Sequence, residues 1–264
     1  MFQELDYPTL YLKIMLSIHI VSALIGAVIL CPAAAFARKG GAFHKKIGTL
    51  FLWNVAIISI TGTLSLLDPS FLSVYWSEES DLKGFGQIFQ SAKLPNLFFL
   101  FIMIMFSYSA FSAARIWPRL RESVDQRIAS SRFDWVITLA MGLISLVFLG
   151  IGIEDLIEHD AFAATFIGGP SIMLGFVAFD IYTFVKKPPV SRYKWWMLHV
   201  IKIMYVWAGL IQGFWLRVRA HILPPEWQEF PPHSGTLLWV LLAGGAIWLY
   251  HIRYLKKKPV KAVI

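Results

Sequence analysis

Charge is scarce in this sequence, and cysteine almost absent. Only 15% of its 264 residues are charged, where a soluble domain carries roughly 25%. A chain so poor in polar groups cannot cover a water-facing surface. The single cysteine, Cys31, excludes a disulfide within one chain and any cysteine-based metal cluster. Its surroundings make it a small core residue. No Gly-rich phosphate loop, no Cys-x-x-Cys and no Gly-x-Ser-x-Gly occurs. His-x-x-x-His is missing as well, so the histidine pair of a seven-helix zinc hydrolase is not there. The run 236–251 has no lysine, which rules out a retinal Schiff base in a last helix.

Apolar residues are what the chain has in quantity: 57% are hydrophobic and the mean hydropathy is +0.62. They come in blocks of bilayer length, for which a helix needs about 20 residues. Seven such blocks can be drawn, at 10–37, 47–67, 94–117, 133–153, 162–185, 195–216 and 234–254. They lack the period-two alternation of barrel strands, and a lone spanning segment satisfies its backbone only as a helix. The expected fold is therefore all-α, one membrane domain of about seven helices over residues 1–264.

The loops alternate in charge. Arg38, Lys39, Lys45 and Lys46 are followed by Arg115, Arg119, Arg121, Arg127 and Arg132. Lys186, Lys187, Arg192 and Lys194 come next, then Arg253, Lys256, Lys257, Lys258 and Lys261. The intervening loops are acidic, with Glu78, Glu79 and Asp81, then Glu154, Asp155, Glu158 and Asp160. By the positive-inside rule the basic set faces the cytoplasm and the N-terminus lies outside. The first block is no signal peptide, because Glu4 and Asp6 precede it and Arg38 and Lys39 follow. The net charge of +8 is thus spent beside the spans, where lipid headgroups rather than nucleic acid are its partner. The stretch 68–93 has room for a short amphipathic element. The stretch 217–233, with Pro224, Pro225, Pro231 and Pro232, is expected to be an irregular cap.

Ionisable groups inside spans are candidates for function. His19 lies in the first block with Ser22, Ala23 and Gly26 at helical spacing, so it is expected to face protein, as a haem ligand, a proton carrier or a hydrogen-bonded core imidazole. Asp180 and Lys202 lie at matching depths in the fifth and sixth blocks, and buried opposite charges at one depth are expected to pair. A snorkelling Lys202 is the alternative. His199 shares a helix face with Lys202, and that face runs on to Gly209 and Gly213, a small-residue contact surface. His44 stands just before the second block, in reach of headgroups. If the helices converge, His44, Asp180, His199 and Lys202 form one polar cluster near the inner face. No metal site of several ligands is evident.

Two stretches resemble an uncharacterised bacterial family of multi-pass membrane proteins. One is His19-x-x-Ser22-Ala23-Leu24-Ile25-Gly26 with Lys39-Gly40-Gly41-x-x-His44-Lys45-Lys46-Ile47-Gly48; the other is Trp196-x-x-His199 with Met204. The resemblance implies a bacterial inner-membrane location and singles out His19, His44 and His199, but implies no reaction. Here Val206-Trp207-Ala208-Gly209 replaces the more polar sixth helix of that family. Three functions stay open: a membrane subunit or assembly factor, electron transfer through b-type haem or quinone, and a proton-coupled carrier motivated by Asp180, Lys202, His199 and Asn54. Whether the protein is an enzyme is undecided.

Overall fold

The computed structural model describes residues 10–37, 41–67, 95–121, 130–157, 163–185 and 192–222, with Gly245. Every element among them is helical. The first rod joins α1 (Leu10–Leu24), a π-helical segment (Ile25–Leu30) and α2 (Cys31–Phe36). Then come α3 (Ala42–Ser65), α4 (Pro95–Arg121), α5 (Arg132–Ile157), α6 (Ala163–Val185) and α7 (Arg192–Ile222). These six rods coincide with the first six apolar blocks. The seventh block, at 234–254, lies outside the described residues apart from Gly245, as does the stretch 68–93.

Four of the rods are long and apolar enough to cross a membrane: Leu10–Phe36, Ala42–Ser65, Arg132–Glu154 and Ile167–Val185. The fully described parts of α4 and α7, Phe99–Arg115 and Leu198–Gly213, are apolar as well. The outward faces fit a hydrocarbon solvent. Val21 and Val28 on the first rod, Trp53 and Ile60 on α3, and Val136 and Leu143 on α5 are all exposed. Soluble monomers seldom show so continuous an apolar surface.

Helix ends depart from the expected ones in a consistent way. α3 begins at Ala42 and α7 at Arg192, ahead of the apolar blocks. Hydropathy marks the hydrocarbon, whereas the helix continues while its backbone bonds persist. α7 also runs through 217–222, which was expected to be irregular.

α1 packs on α3, α3 on α4, α4 on α7, and α5 on α6. One apolar core lies among α4, α5 and α6, built on Phe101, Met105, Met141, Phe148, Met173 and Phe176, with Phe101 and Phe148 stacked at 4.4 Å. A second joins the first rod, α3 and α7 through Cys31, Phe51, Val55, Val206, Trp207 and Leu210. Gly209 is needed here, since a side chain there would run into the Phe106 ring of α4.

The π segment leaves one backbone acceptor to be filled from another helix. The Cys31 N–H donates to Gly26 O, five residues back. In the same register residue 32 would donate to Ala27 O, but it is Pro32 and has no N–H. The Trp207 indole donates to Ala27 O instead, at 2.8 Å. An α7 side chain thus closes a gap in the first rod's backbone.

Candidate functional site

The polar residues of α4, α6 and α7 face one another through helical stripes. Tyr108 and Ser112 are four apart on α4, Phe176 and Asp180 four apart on α6, and His199 and Lys202 three apart on α7. The expected ion pair forms. Lys202 Nζ lies 2.6 Å from Asp180 Oδ2, with side-chain exposures of 0% and 5%. Lys202 does not snorkel. It also donates to Ser112 Oγ at 2.9 Å, and the Tyr108 hydroxyl donates to Asp180 Oδ2 at 2.6 Å. The ammonium stands 5.4 Å from the Tyr108 ring and 5.6 Å from the Phe176 ring, both within cation–π range. Two short charged bonds at one carboxylate oxygen, with aromatic walls, offset much of the desolvation penalty of burying the pair.

His44 and His199 come together at the same end of the bundle. Their ring centroids are 6.4 Å apart, with the planes at 67°. His44 is not a headgroup-facing residue ahead of a helix. It sits in the first turn of α3, buried, with Nδ1 2.9 Å from Ala34 O in the last turn of α2. A helix's last carbonyls lack intrahelical donors, and the short α2–α3 turn brings the imidazole to one of them. His199 Nδ1 is 2.9 Å from Ala113 O of α4. Ala113 and Ser112 are neighbours on α4, so the imidazole and the Lys202 ammonium reach adjacent residues of one helix. The structure brings His44 to His199 and Asp180 to Lys202 as two pairs, with partners of both on α4 and α7.

His19 stands apart. Its Nδ1 is 2.9 Å from Ile58 O, and Ile58 lies 14 residues along α3 from His44, about 20 Å at 1.5 Å per residue. As expected, it faces protein, beside buried Ser22 and Gly26.

One chemical feature unites the three histidines. Each Nδ1 meets a backbone carbonyl, which can only accept, so each Nδ1 carries the proton. In the neutral ring Nε2 then holds the lone pair. A histidine that ligates a metal is oriented in this way, with the far ring nitrogen donating to a carbonyl or carboxylate. Among the described residues no three His, Cys, Asp or Glu side chains group as a metal site, so any metal here would rest on two imidazoles or on softer donors.

Several contacts escaped the sequence reading. Tyr108, Ser112 and Phe176 carry no signal until their partners are known. Arg115 holds Asp134 by two bonds, Nε to Oδ1 at 2.9 Å and an η-nitrogen to Oδ2 at 2.8 Å. Asp134 also accepts from the Ser131 N–H and hydroxyl, while its own N–H donates to Ser131 Oγ. This is a capping box at the start of α5, and Ser131-x-x-Asp134 was legible as one. Asn54 donates through Nδ2 to Ser22 O at 2.9 Å, and its buried Oδ1 has no hydrogen-bond partner among the described residues. That oxygen packs against Gly26, where a side chain would collide with it.

Compared with family models, curated proteins and solved structures, the chain matches none.

Proposed function

We propose that this is a seven-span protein of a bacterial inner membrane, N-terminus outside, in which His44 and His199 hold the iron of a b-type haem for electron transfer near the cytoplasmic face. Lipid covers its apolar flanks, and the resemblance to an uncharacterised bacterial family belongs to the same reading. One observation carries it: two imidazoles from different helices, each anchored through Nδ1, with centroids 6.4 Å apart. An ion held by one nitrogen of each ring, at about 2 Å per metal–nitrogen bond, would fit rings spaced in this range. Haem iron takes such ligands, and the protein's part is to fix their tautomer and spacing.

The test is an optical spectrum of the detergent-purified chain from haem-supplied cells, air-oxidised and then dithionite-reduced. A Soret band with a reduced b-type α band is expected, lost in His44→Ala and in His199→Ala but kept in His19→Ala. A featureless visible spectrum from the wild type would overturn the haem reading. The second reading is a membrane subunit or assembly factor. It is favoured by the Asp180–Lys202 pair, whose short internal bonds suit packing more than transport.

A further inference from the structure

The buried ion pair does more than compensate charge, and the reason lies in how α7 is seated on α4. Towards its C-terminal half α7 rests on α4 through two contacts. Gly209 lies against the Phe106 ring, where a methyl group would collide with it. The Tyr205 hydroxyl lies 3.0 Å from the Met105 sulfur. The first contact has no direction and the second is a weak bond, since a thioether is a weak acceptor. Both are on the far side of Lys202 from His199.

His199 stands ten residues from Gly209, about 15 Å at 1.5 Å per residue. A tilt of about 5° at Gly209 would carry the His199 backbone roughly 1.3 Å sideways over that length. A binding constellation has to be held within about 0.5 Å by the residues behind it. The imidazole's own bond does not do this. Its acceptor is the Ala113 carbonyl, and a helix repeats that group at every residue. The Lys202 bonds are specific to side chains. Nζ donates to Ser112 Oγ at 2.9 Å and to Asp180 Oδ2 at 2.6 Å, and the Tyr108 hydroxyl donates to that same oxygen. Tyr108 and Ser112 are one turn apart on α4, so this helix grips the carboxylate through one and the ammonium through the other. Asp180 adds α6, and the lysine is fixed against two helices, one turn from His199.

We propose that Lys202, with Asp180, Tyr108 and Ser112, is a positioning device that sets the angle of α7 on α4 and so presents the His199 imidazole to His44. This role rests on the two-imidazole reading above. It gives a reason for a charged pair where apolar side chains would pack as firmly, because the pair supplies direction as well as contact.

The experiment uses the detergent-solubilised full chain labelled with heavy-nitrogen histidine, its imidazole nitrogens followed by NMR before and after titration with haemin. In the wild type the His199 Nδ1 proton, held by Ala113, is expected to exchange slowly, and haemin to bind with a low-spin spectrum. Asp180→Leu with Lys202→Met removes both charges and strands neither. This double variant is expected to melt near the wild type and keep the slow His44 proton, yet lose that of His199. Its haemin affinity should fall at least roughly tenfold, the lower end of what a supporting partner of a metal ligand is worth. Ser112→Ala cuts only the Lys202 bond to α4 and should move both readouts the same way. Ser112→Thr keeps the hydroxyl and should match the wild type. Wild-type His199 nitrogens and haemin affinity in both the double variant and Ser112→Ala overturn the proposal, since a pair that only stabilises would leave them unmoved. Should the double variant fail to fold, Ser112→Ala decides alone. A wild type that does not bind haemin overturns the haem reading, and the His199 proton still decides whether Lys202 positions the ring.

Discussion

Helix α7 makes two seams, and they handle buried polarity differently. On one side Lys202 meets α4 and α6, and a full positive charge is met by a carboxylate, a hydroxyl and two aromatic faces. On the other Trp207 meets the first rod, and a single neutral N–H fills the acceptor that Pro32 leaves open. A charge in a low-dielectric interior cannot be left partly compensated, whereas an orphan carbonyl needs only one donor. The first seam should therefore fail wholly when one member is removed, and the second only in part.

The largest effect is expected at the ion pair. Asp180→Ala or Lys202→Ala strands the partner charge at a site that is nearly or wholly shielded, and breaking such pairs costs about 3–5 kcal/mol. Replacing both groups by apolar residues, as Asp180→Leu with Lys202→Met, should recover most of that loss, because neither charge is then buried alone. The measurement is the thermal midpoint in detergent for the two singles and the double. Singles that melt with the wild type, or a double as damaged as their sum, would show that the charges are not coupled as the distances imply.

That pair was also the most legible part of the site, and the reason is physical. Asp180 and Lys202 stand out because charge is rare in these spans, and their depths can be counted along two consecutive helices. The convergence of His44 with His199 was legible only conditionally, since α2 had to end where it does for His44 to turn inward. Tyr108 and Ser112 were not legible at all. A hydroxyl in an apolar run hydrogen-bonds as readily to its own helix, as Ser65 does to Thr61 O, and only tertiary contact tells the cases apart. The six rods followed from hydropathy alone, but the π segment did not. Pro32 was visible in the sequence, yet its consequence depends on Trp207, in another helix far along the chain.

The Trp207 seam gives the intermediate effect. Trp207→Phe keeps an aromatic ring but removes the donor to Ala27 O. A buried acceptor left without a partner costs about 1–3 kcal/mol, and hydrogen bonds inside membrane bundles fall towards the low end of such ranges. A fall of about 1–2 kcal/mol is expected. Pro32→Ala restores a backbone N–H, so in the Trp207→Phe background it should return part of the loss and do little in the wild type. A double-mutant cycle from unfolding in mixed detergent checks this. Additive losses would mean that Trp207 acts through packing alone.

The smallest effect belongs to a second ion pair, Arg115 with Asp134, which repeats the first in a wetter place. Arg115 and Asp134 make two short bonds, but the arginine side chain is 37% exposed while that of Asp134 is 3% exposed. Water and salt therefore reach the cation, and exposed pairs are worth about 0–1 kcal/mol. Arg115→Lys keeps the charge and loses the two-pronged geometry. Asp134 still accepts from Ser131, so its carboxylate is not stranded. The expected cost is under about 1 kcal/mol. It should shrink further between roughly 0.15 and 1 M salt, as the screening length drops from about 8 to about 3 Å. The loss in Lys202→Ala should not respond to salt, because the site is shielded from ions. If Arg115→Lys costs as much as Lys202→Ala, or if both respond equally to salt, then exposure is not what separates the two pairs, and the weight given to burial at Lys202 would have to pass to its aromatic walls.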